Sequence, residues 1–341
     1  MDRLLEELVA VPGAPGYEER VRALIEARLP AGVAREADAM GNLVVTLGKG
    51  GPGAMFVAHM DEIGFVVSDV REDGFLKLKP LGGVDPRTVF GRLLRIVTGK
   101  GDLVGAVAVR PPHLMRDAAA EMKEVVPVTD LFVDIGAGSR AEAEAMGARL
   151  LDFAVYEKDV RTLNGRLVCS RALDDRAGCW VLLKALAELA KAPPRGRVHF
   201  AFSVQEEVGL RGAALLARKH SLDWVFAVDS VSAGDHPGLS PEQGPARLGR
   251  GACLRVLDNA TIVPRAVWQE VAAVAEAEGI RLQVVFSGGG TDAKPFQAEG
   301  PRVVSIAFPL RYTHSAVEMA HRDDLEDTVR LVVALARRHA G

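Results

Sequence analysis

The sequence predicts an α/β protein in which a mixed sheet flanked by helices is interrupted by a small β-rich insertion. Three observations predict it. Apolar runs of strand length alternate with segments of helical periodicity toward both ends of the chain. Between them, from about residue 67 to 164, the helical periodicity gives way to short strands separated by turn residues. The length of 341 residues also exceeds what one ordinary core requires.

Residues 2–11 and 17–29 place apolar side chains at three- and four-residue intervals and are split by VPGAPG, which predicts two short helices covering one face of the sheet. EADAMGNLVVTLG and AMFVAHM carry β-branched or alternating apolar residues bounded by glycines, so they read as strands, the second ending at His59. VSDVREDGFLKLKPLGG, RLLRIVTGKGDLVGAVAV and LFVDIGA then form the β-rich module, within which only residues 115–124 and 139–148 have helical composition. After Leu163 the alternation resumes. DDRAGCWVLLKALAELAKA reads as helix, VHFAFSV as strand, LRGAALLARKH as helix and DWVFAVD as strand. PRAVWQEVAAVAEAEG follows as helix, RLQVVF and RVVSIAF as strands, and DLEDTVRLVVALARRHA as the last helix. The main fold is therefore expected over 1–66 and 165–341, with the inserted domain at 67–164.

Composition narrows the function. With 48% hydrophobic and 26% charged residues the chain can build a sizeable core and is not largely disordered. A net charge of −3, with no Lys/Arg-rich stripe carrying interleaved aromatics, speaks against nucleic acid as a partner. The first thirty residues are charged every few positions and lack the apolar core of a secretory signal. No run approaches the roughly 18 apolar residues that cross a bilayer. A cytoplasmic protein without a membrane partner is expected. Cys169, Cys179 and Cys253 are odd in number and scattered, which argues against a disulfide framework or a thiolate zinc site.

The candidate chemistry lies at strand ends. His59 and Asp61 end AMFVAHMD, Asp174 and Asp175 open a helix, Glu206 and Glu207 follow VHFAFSVQ, Asp229 ends DWVFAVD, and His314 follows VVSIAFPLRYT. In open α/β sheets ligands bind beyond the carboxyl ends of the strands, so five segments converge on one edge. Taken singly, each has a blander reading: a structural histidine, a helix-capping aspartate, a solvated pair of loop glutamates. Together they offer imidazole nitrogen and carboxylate oxygen, a donor set suited to zinc, cobalt or manganese, and the lack of thiolates disfavours a closed structural site. Two histidines and several carboxylates suffice for two cations about 3.5–4 Å apart, provided that one carboxylate bridges them.

AHMDEIGF (58–65), ALDDRAG (172–178), QEEVGLRGA (205–213), AVDS (227–230), GGGTDA (288–293) and RYTHSAVE (311–318) resemble the tetrahedral aminopeptidases. That family includes glutamyl and deblocking aminopeptidases, and some members have been labelled endoglucanase-like. The resemblance keeps its order over nearly the whole chain, with PPHLM (111–115) and LFVDIGA (131–137) inside the insertion. It implies a zinc-exopeptidase-like fold binding two divalent cations, zinc or cobalt. Asp174 would bridge them, His59 and Asp229 would complete one site, and Glu207 and His314 the other. It further implies a cis Asp174–Asp175 peptide and Glu206 as general base. Asp61 is expected to stay off the metals and accept the second N–H of the His59 ring.

The activity so implied is metal-dependent removal of single residues from short peptides with a free N-terminus, by water activated between the metals and deprotonated by Glu206. The insertion would pair subunits into a homo-oligomer, up to a twelve-subunit tetrahedral shell. Two other functions compete. A glycoside hydrolase needs two carboxyl groups about 5–9.5 Å apart and no metal pair, which leaves five ligands unexplained. A non-catalytic assembly protein with structural metals has no use for the extra acid Glu206. Asp292 and Arg311 flank the expected site, with substrate contact left open, and His113 is read as structural. His199, His220, His236, His321 and His339 have no partner evident in the sequence.

Overall fold

The apolar run Gly53–His59 sets the pattern of the main sheet in the computed structural model, which describes residues 2–51, 53–157, 159–240 and 242–340. Every residue of this strand is buried, and successive side chains point to opposite faces. Ala54, Phe56 and Ala58 enter one apolar cluster, while Met55 and Val57 enter another. A strand enclosed on both faces requires helices on both, which is why it reads as a continuous apolar run. It pairs in parallel with Val198–Ser203 on one side and Leu222–Ser232 on the other, and Leu222–Ser232 pairs in parallel with Arg302–Arg311.

Antiparallel pairs extend this parallel centre. Leu43–Leu47 and Ala34–Ala37 lie at one edge; Glu318–His321, Leu167–Ser170 and Arg161–Leu163 lie at the other. Ala252–Leu257 and Leu282–Phe286 branch from Arg302–Arg311. The result is the mixed, helix-flanked sheet that the sequence predicts. Helices Arg3–Ala10, Leu173–Leu189 and Arg322–His339 contribute to the larger cluster, and Arg211–Lys219 and Ala293–Gln297 to the other. Leu173–Leu189 is buried along nearly its whole length, mostly through apolar side chains but with Asp174, Asp175 and Arg176 buried at its start. At the centre Phe56 stacks on Phe226 at 4.8 Å and on Phe200 at 5.6 Å, and Trp224 stacks on Phe226 at 5.5 Å. This column of rings ties three adjacent parallel strands together, and truncating such a ring to alanine costs about 3–5 kcal/mol.

Residues Ile63–Asp159, with His314–Ala316, form a second compact unit. Gly64–Val70, Leu76–Leu81, Phe132–Asp134, Gly101–Val107, Leu93–Thr98 and Phe153–Tyr156 pair antiparallel in that order and close into a barrel. Closure leaves no strand edge unpaired around the barrel. Its core includes Phe65, Leu78, Leu94, Ile96 and Val133, and the buried Tyr156 places its hydroxyl 2.9 Å from Thr88 Oγ1. The unit begins before residue 67 because Gly64–Val70 is already a barrel strand, and it ends before 164 because Arg161–Leu163 pairs with Leu167–Ser170 of the main sheet. Of the segments with helical composition, 139–148 yields Arg140–Met146, whereas 115–124 yields only the single turn Ala118–Glu121.

Candidate metal centre

Strand register brings the candidate ligands of the main unit to one level. Ser203 lies opposite His59, and Ala227 lies opposite Val57, so Asp229, two residues further on, comes level with His59. Asp174 enters from the first turn of Leu173–Leu189, across the cis Asp174–Asp175 peptide. Ligand atoms of His59, Asp174 and Asp229 lie within 4.8 Å of one another, and so do those of His59, Glu206 and Glu207. His59 Nε2 is 3.4 Å from Asp174 Oδ1 and 4.0 Å from Glu206 Oε2.

Each of these groups is held by buried partners. His59 Nδ1 lies 3.1 Å from the Asp61 main-chain carbonyl, which can only accept, so Nδ1 carries the proton and Nε2 faces the carboxylates. The His59 amide donates to Asp175 Oδ2 at 3.2 Å, and the His59 carbonyl accepts from Cys179 Sγ at 3.1 Å. Ser230 Oγ donates to Asp174 Oδ2 at 3.0 Å, and the Asp174 amide donates to Glu318 Oε2 at 3.1 Å. Asp61 does more than face the imidazole at 3.5 Å, because its two oxygens accept the main-chain N–H groups of Glu206 and Glu207, both at 3.1 Å.

The loop bearing Glu206 and Glu207 is closed at its base. Asn42 accepts from the Val204 amide at 3.0 Å and donates to the Gly212 carbonyl at 3.2 Å, while the Gly212 amide donates to the Val204 carbonyl at 3.0 Å. Only glycine fits at 212, since a Cβ there would lie 2.3 Å from Asn42 Oδ1. The loop that carries Glu206 and Glu207 is therefore tied together at its base by three hydrogen bonds.

The electrostatics of this donor set favour a cation. Burial pushes the Glu206 carboxyl well above its usual range, with Asp229, Asp292 and Glu207 adding to the rise and His59 opposing it. Burial and the Asp174 charge raise Asp229 to about 7. Burial opposes charge on His59, yet Asp174, Asp61 and Glu206 raise its imidazole well above the ordinary value. Crowded acids that pull a proton onto a buried histidine are a site short of positive charge. Imidazole and carboxylates at this density fit a divalent cation of the zinc or cobalt type.

His314 follows Arg302–Arg311 at a φ of +63° and groups with the residues of the barrel unit. There its ring lies against Gly83, where an added Cβ would stand 2.8 Å from Nδ1. Asp292 is buried and accepts from Ser203 Oγ. Arg311 makes a two-point ion pair with Asp235, at 2.7 and 2.8 Å. His113 sits exposed in the short turn Pro112–Leu114. Of the histidines left without a partner, His199 Nδ1 pairs with Thr46 Oγ1 at 2.9 Å, His339 lies on Trp224 at 4.1 Å, and His321 caps the last helix. Glu318 and Glu18 went unmarked in the sequence, although Glu318 lies within the RYTHSAVE segment.

A buried imidazole–carboxylate cluster at the carboxyl edge of parallel strands, with a further carboxylate beside it, defines an α/β metallohydrolase. Comparison with known proteins narrows that class. The chain belongs to the M42 glutamyl aminopeptidase family, whose model matches residues 41–331. It is 34% identical to a lysyl aminopeptidase of Pyrococcus furiosus, over 97% of this chain and 95% of that one. Identity to the glutamyl aminopeptidase of Lactococcus lactis subsp. cremoris is 32%, over 94% and 91%. Among solved structures, the Pyrococcus horikoshii TET1 peptidase, described as assembling into a tetrahedron or a large octahedral shell, superposes with a TM-score of 0.91 at 41% identity, covering 98% of each chain. The protein is thus a metal-dependent aminopeptidase, a hydrolase of peptide bonds. No helix among the described residues is long and apolar enough to cross a membrane.

Proposed function

We propose that the protein removes single residues from short peptides with a free N-terminus, using two divalent cations, zinc or cobalt, and Glu206 as general base. His59, Asp174, Glu207, Asp229 and His314 would hold the ions, His59 and Asp229 serving one, Glu207 and His314 the other, and Asp174 both. The observation that carries this reading is the Glu206 carboxylate, raised in pKa by burial and placed beside the His59–Asp174–Asp229 cluster without being needed to complete it. Bound there, the cations would supply Lewis acidity, lowering the pKa of the attacking water and offsetting charge on the developing oxyanion. Glu206 accepts the water proton and returns it to the leaving amine, a role for which a raised carboxyl is suited. Asp61 fixes the direction of Glu206 by holding its amide, and fixes His59 through its carbonyl. The substrate's charged α-amino group is anchored by the acidic surplus of the site, which makes the enzyme an exopeptidase.

The barrel unit is proposed to pair subunits of a homo-oligomer, up to a tetrahedral dodecamer that admits only short or unfolded peptides. Its exposed apolar side chains support this: Val109, Leu114, Met122 and Val125 are 55–69% exposed, and three of the four stand in a stretch flanking a groove of about 810 Å³. The buried thiols of Cys179 and Cys253 fit a reducing, cytoplasmic setting.

The test separates two neighbours. Glu206→Gln is expected to keep both ions and lose roughly 10²–10⁴-fold in rate, the usual cost of removing a general base. Glu207→Gln is expected to lose one ion as well, because a neutral amide oxygen replaces an anionic ligand. Metal content by mass spectrometry beside turnover of an aminoacyl amide decides it. The roles are reversed if only Glu206→Gln loses metal, and the reading is wrong if neither change slows turnover.

A further inference from the structure

Three consecutive main-chain N–H groups, those of Gln205, Glu206 and Glu207, point at two buried carboxylates. Asp61 takes the second and third. The first donates to Glu18 Oε1 at 3.0 Å, across 187 positions of sequence. We infer that Glu18 is a positioning residue for the reaction, its carboxylate fixing the main chain at the residue immediately before the base Glu206. The inference rests on the proposed role of Glu206 and extends it to a residue outside the metal-binding segments.

Several observations support it. Gln205 adopts a φ of +55°, a left-handed conformation that is unfavourable for a non-glycine residue and must be held by its surroundings. Glu18 stands at the N-cap position of the helix Glu19–Arg28, yet its side chain makes no capping bond to that helix. It turns instead to the loop. The same oxygen also accepts the Gly16 amide at 2.9 Å, so one atom joins the turn between the first two helices to the loop of the base. The side chain is only 5% exposed, and burial together with the Asp61 charge raises its pKa to about 7. Burying a carboxyl is unfavourable unless it is hydrogen-bonded, and here the Gly16 and Gln205 amides both donate to one oxygen. A neutral carbonyl oxygen in that place can accept both. The geometry, rather than the charge, is what the loop uses.

This separates positioning from generic packing through two variants of the full-length, metal-loaded protein. Glu18→Ser is too short to reach Gln205 but is a favoured helix N-cap, so the fold is retained. Glu18→Gln keeps an acceptor oxygen at the same reach. Measured on each are kcat and KM for an aminoacyl amide, metal content, and hydrogen exchange of the peptide spanning residues 203–208. Glu18→Ser is expected to lower kcat tenfold or more, because displacing a catalytic group by about 1 Å costs up to roughly 10²-fold. KM should stay within about twofold, both ions should remain, and the Gln205 amide should exchange faster. Glu18→Gln is expected to restore kcat to within about threefold and to restore protection.

Faster exchange in Glu18→Ser with an unchanged kcat would overturn the inference, as would unchanged exchange. A rate loss accompanied by loss of metal would assign Glu18 to support of Glu207 instead. If Glu18→Gln is as slow as Glu18→Ser, the charge matters and positioning by the acceptor is wrong. Glu206→Gln, run alongside, keeps the two ideas apart. A silent Glu206→Gln with a fully active Glu18→Ser defeats only this inference, whereas an active Glu206→Gln defeats the underlying mechanism.

Discussion

Gly83 offers a way to test His314 as a ligand without touching it. A methyl group at 83 would lie 2.8 Å from His314 Nδ1 and 3.1 Å from Cε1. Favourable contacts of this kind begin at about 3.5 Å, so in Gly83→Ala the ring must retreat by roughly 0.7 Å or swing about its side-chain torsions. Gly83 is not in the left-handed region, so the methyl adds no backbone strain of its own. A ligating histidine tolerates little displacement, since functional sites keep metal–ligand distances within about 0.2 Å of ideal. Disturbing the orientation of such a ligand typically costs about 10–100-fold in metal affinity, or roughly 1.4–2.7 kcal/mol. Gly83→Ala is therefore expected to release one ion at a free-metal concentration where the parent protein holds two, and turnover should follow that ion. Gly99→Ala is the control, because nothing lies within 4 Å of a Cβ there. Titration against a competing chelator, with mass spectrometry of the metal content, reads the difference. Two ions bound at parental affinity in Gly83→Ala would refute the assignment of His314 to the second site.

Acetyl or formyl capping of the substrate is expected to abolish turnover, since it removes the charge that the acidic site anchors; equal rates on capped and free peptides would indicate an endopeptidase. Light scattering at micromolar concentration should show an oligomer, and an active protein found only as monomer would contradict the role of the barrel unit. A pH effect on stability is expected from His199, whose burial beside His220 and Arg197 lowers its pKa to about 4. The unfolded chain, with an ordinary value near 6.5, binds this proton more readily, so stability is full above about pH 6.5 and falls by roughly 3 kcal/mol as pH drops toward 4. Urea midpoints of the parent and His199→Gln across that range should diverge at high pH and converge at low pH; parallel curves would remove His199 as the cause.

How much of this was legible in the sequence depends on which force placed each residue. Gly53–His59 and Leu222–Ser232 were readable because burial on both faces demands uninterrupted apolar residues. Ala252–Leu257 was not, because Arg255 breaks the apolar run; it is buried by virtue of Asp258 and the Gly289 carbonyl, partners that no periodicity reveals. Leu167–Ser170 and Glu318–His321 are four residues long, too short to display a period of two. Helical composition at 115–124 came to one turn, with Pro111 and Pro112 before it and Pro127 after it leaving little chain for a longer helix. In the site, His59, Asp229 and the Glu206–Glu207 pair were visible because each ends a readable strand. Asp61 was placed beside His59, but the commitment of its carboxylate to two amides depends on a loop 145 residues away. Glu18 gives no signal in the sequence, because its bond to the Gln205 amide spans 187 positions.

The same arrangement explains why a site so rich in buried acids requires a rigid frame. Asp174, Asp175, Glu206 and Asp229 repel one another in a desolvated pocket, and a flexible chain would relieve that repulsion by letting them swing into water. Main-chain amides prevent it. The amides of Glu206 and Glu207 neutralise part of the Asp61 charge, those of His59 and Gly178 part of the Asp175 charge, and that of Asp174 part of the Glu318 charge. Except at Gly178, each such bond also fixes the backbone of a proposed ligand or of the proposed base, so satisfying one acid aims another. The remaining excess of negative charge is what a pair of divalent cations would neutralise. Metal binding and stability are therefore coupled by mass action: an ion at one hundred times its dissociation constant adds about 2.7 kcal/mol. A fold that holds its acids apart with amides, and leaves the balance to metal, would spend part of its intrinsic stability on aiming Glu206 for the role of base proposed for it.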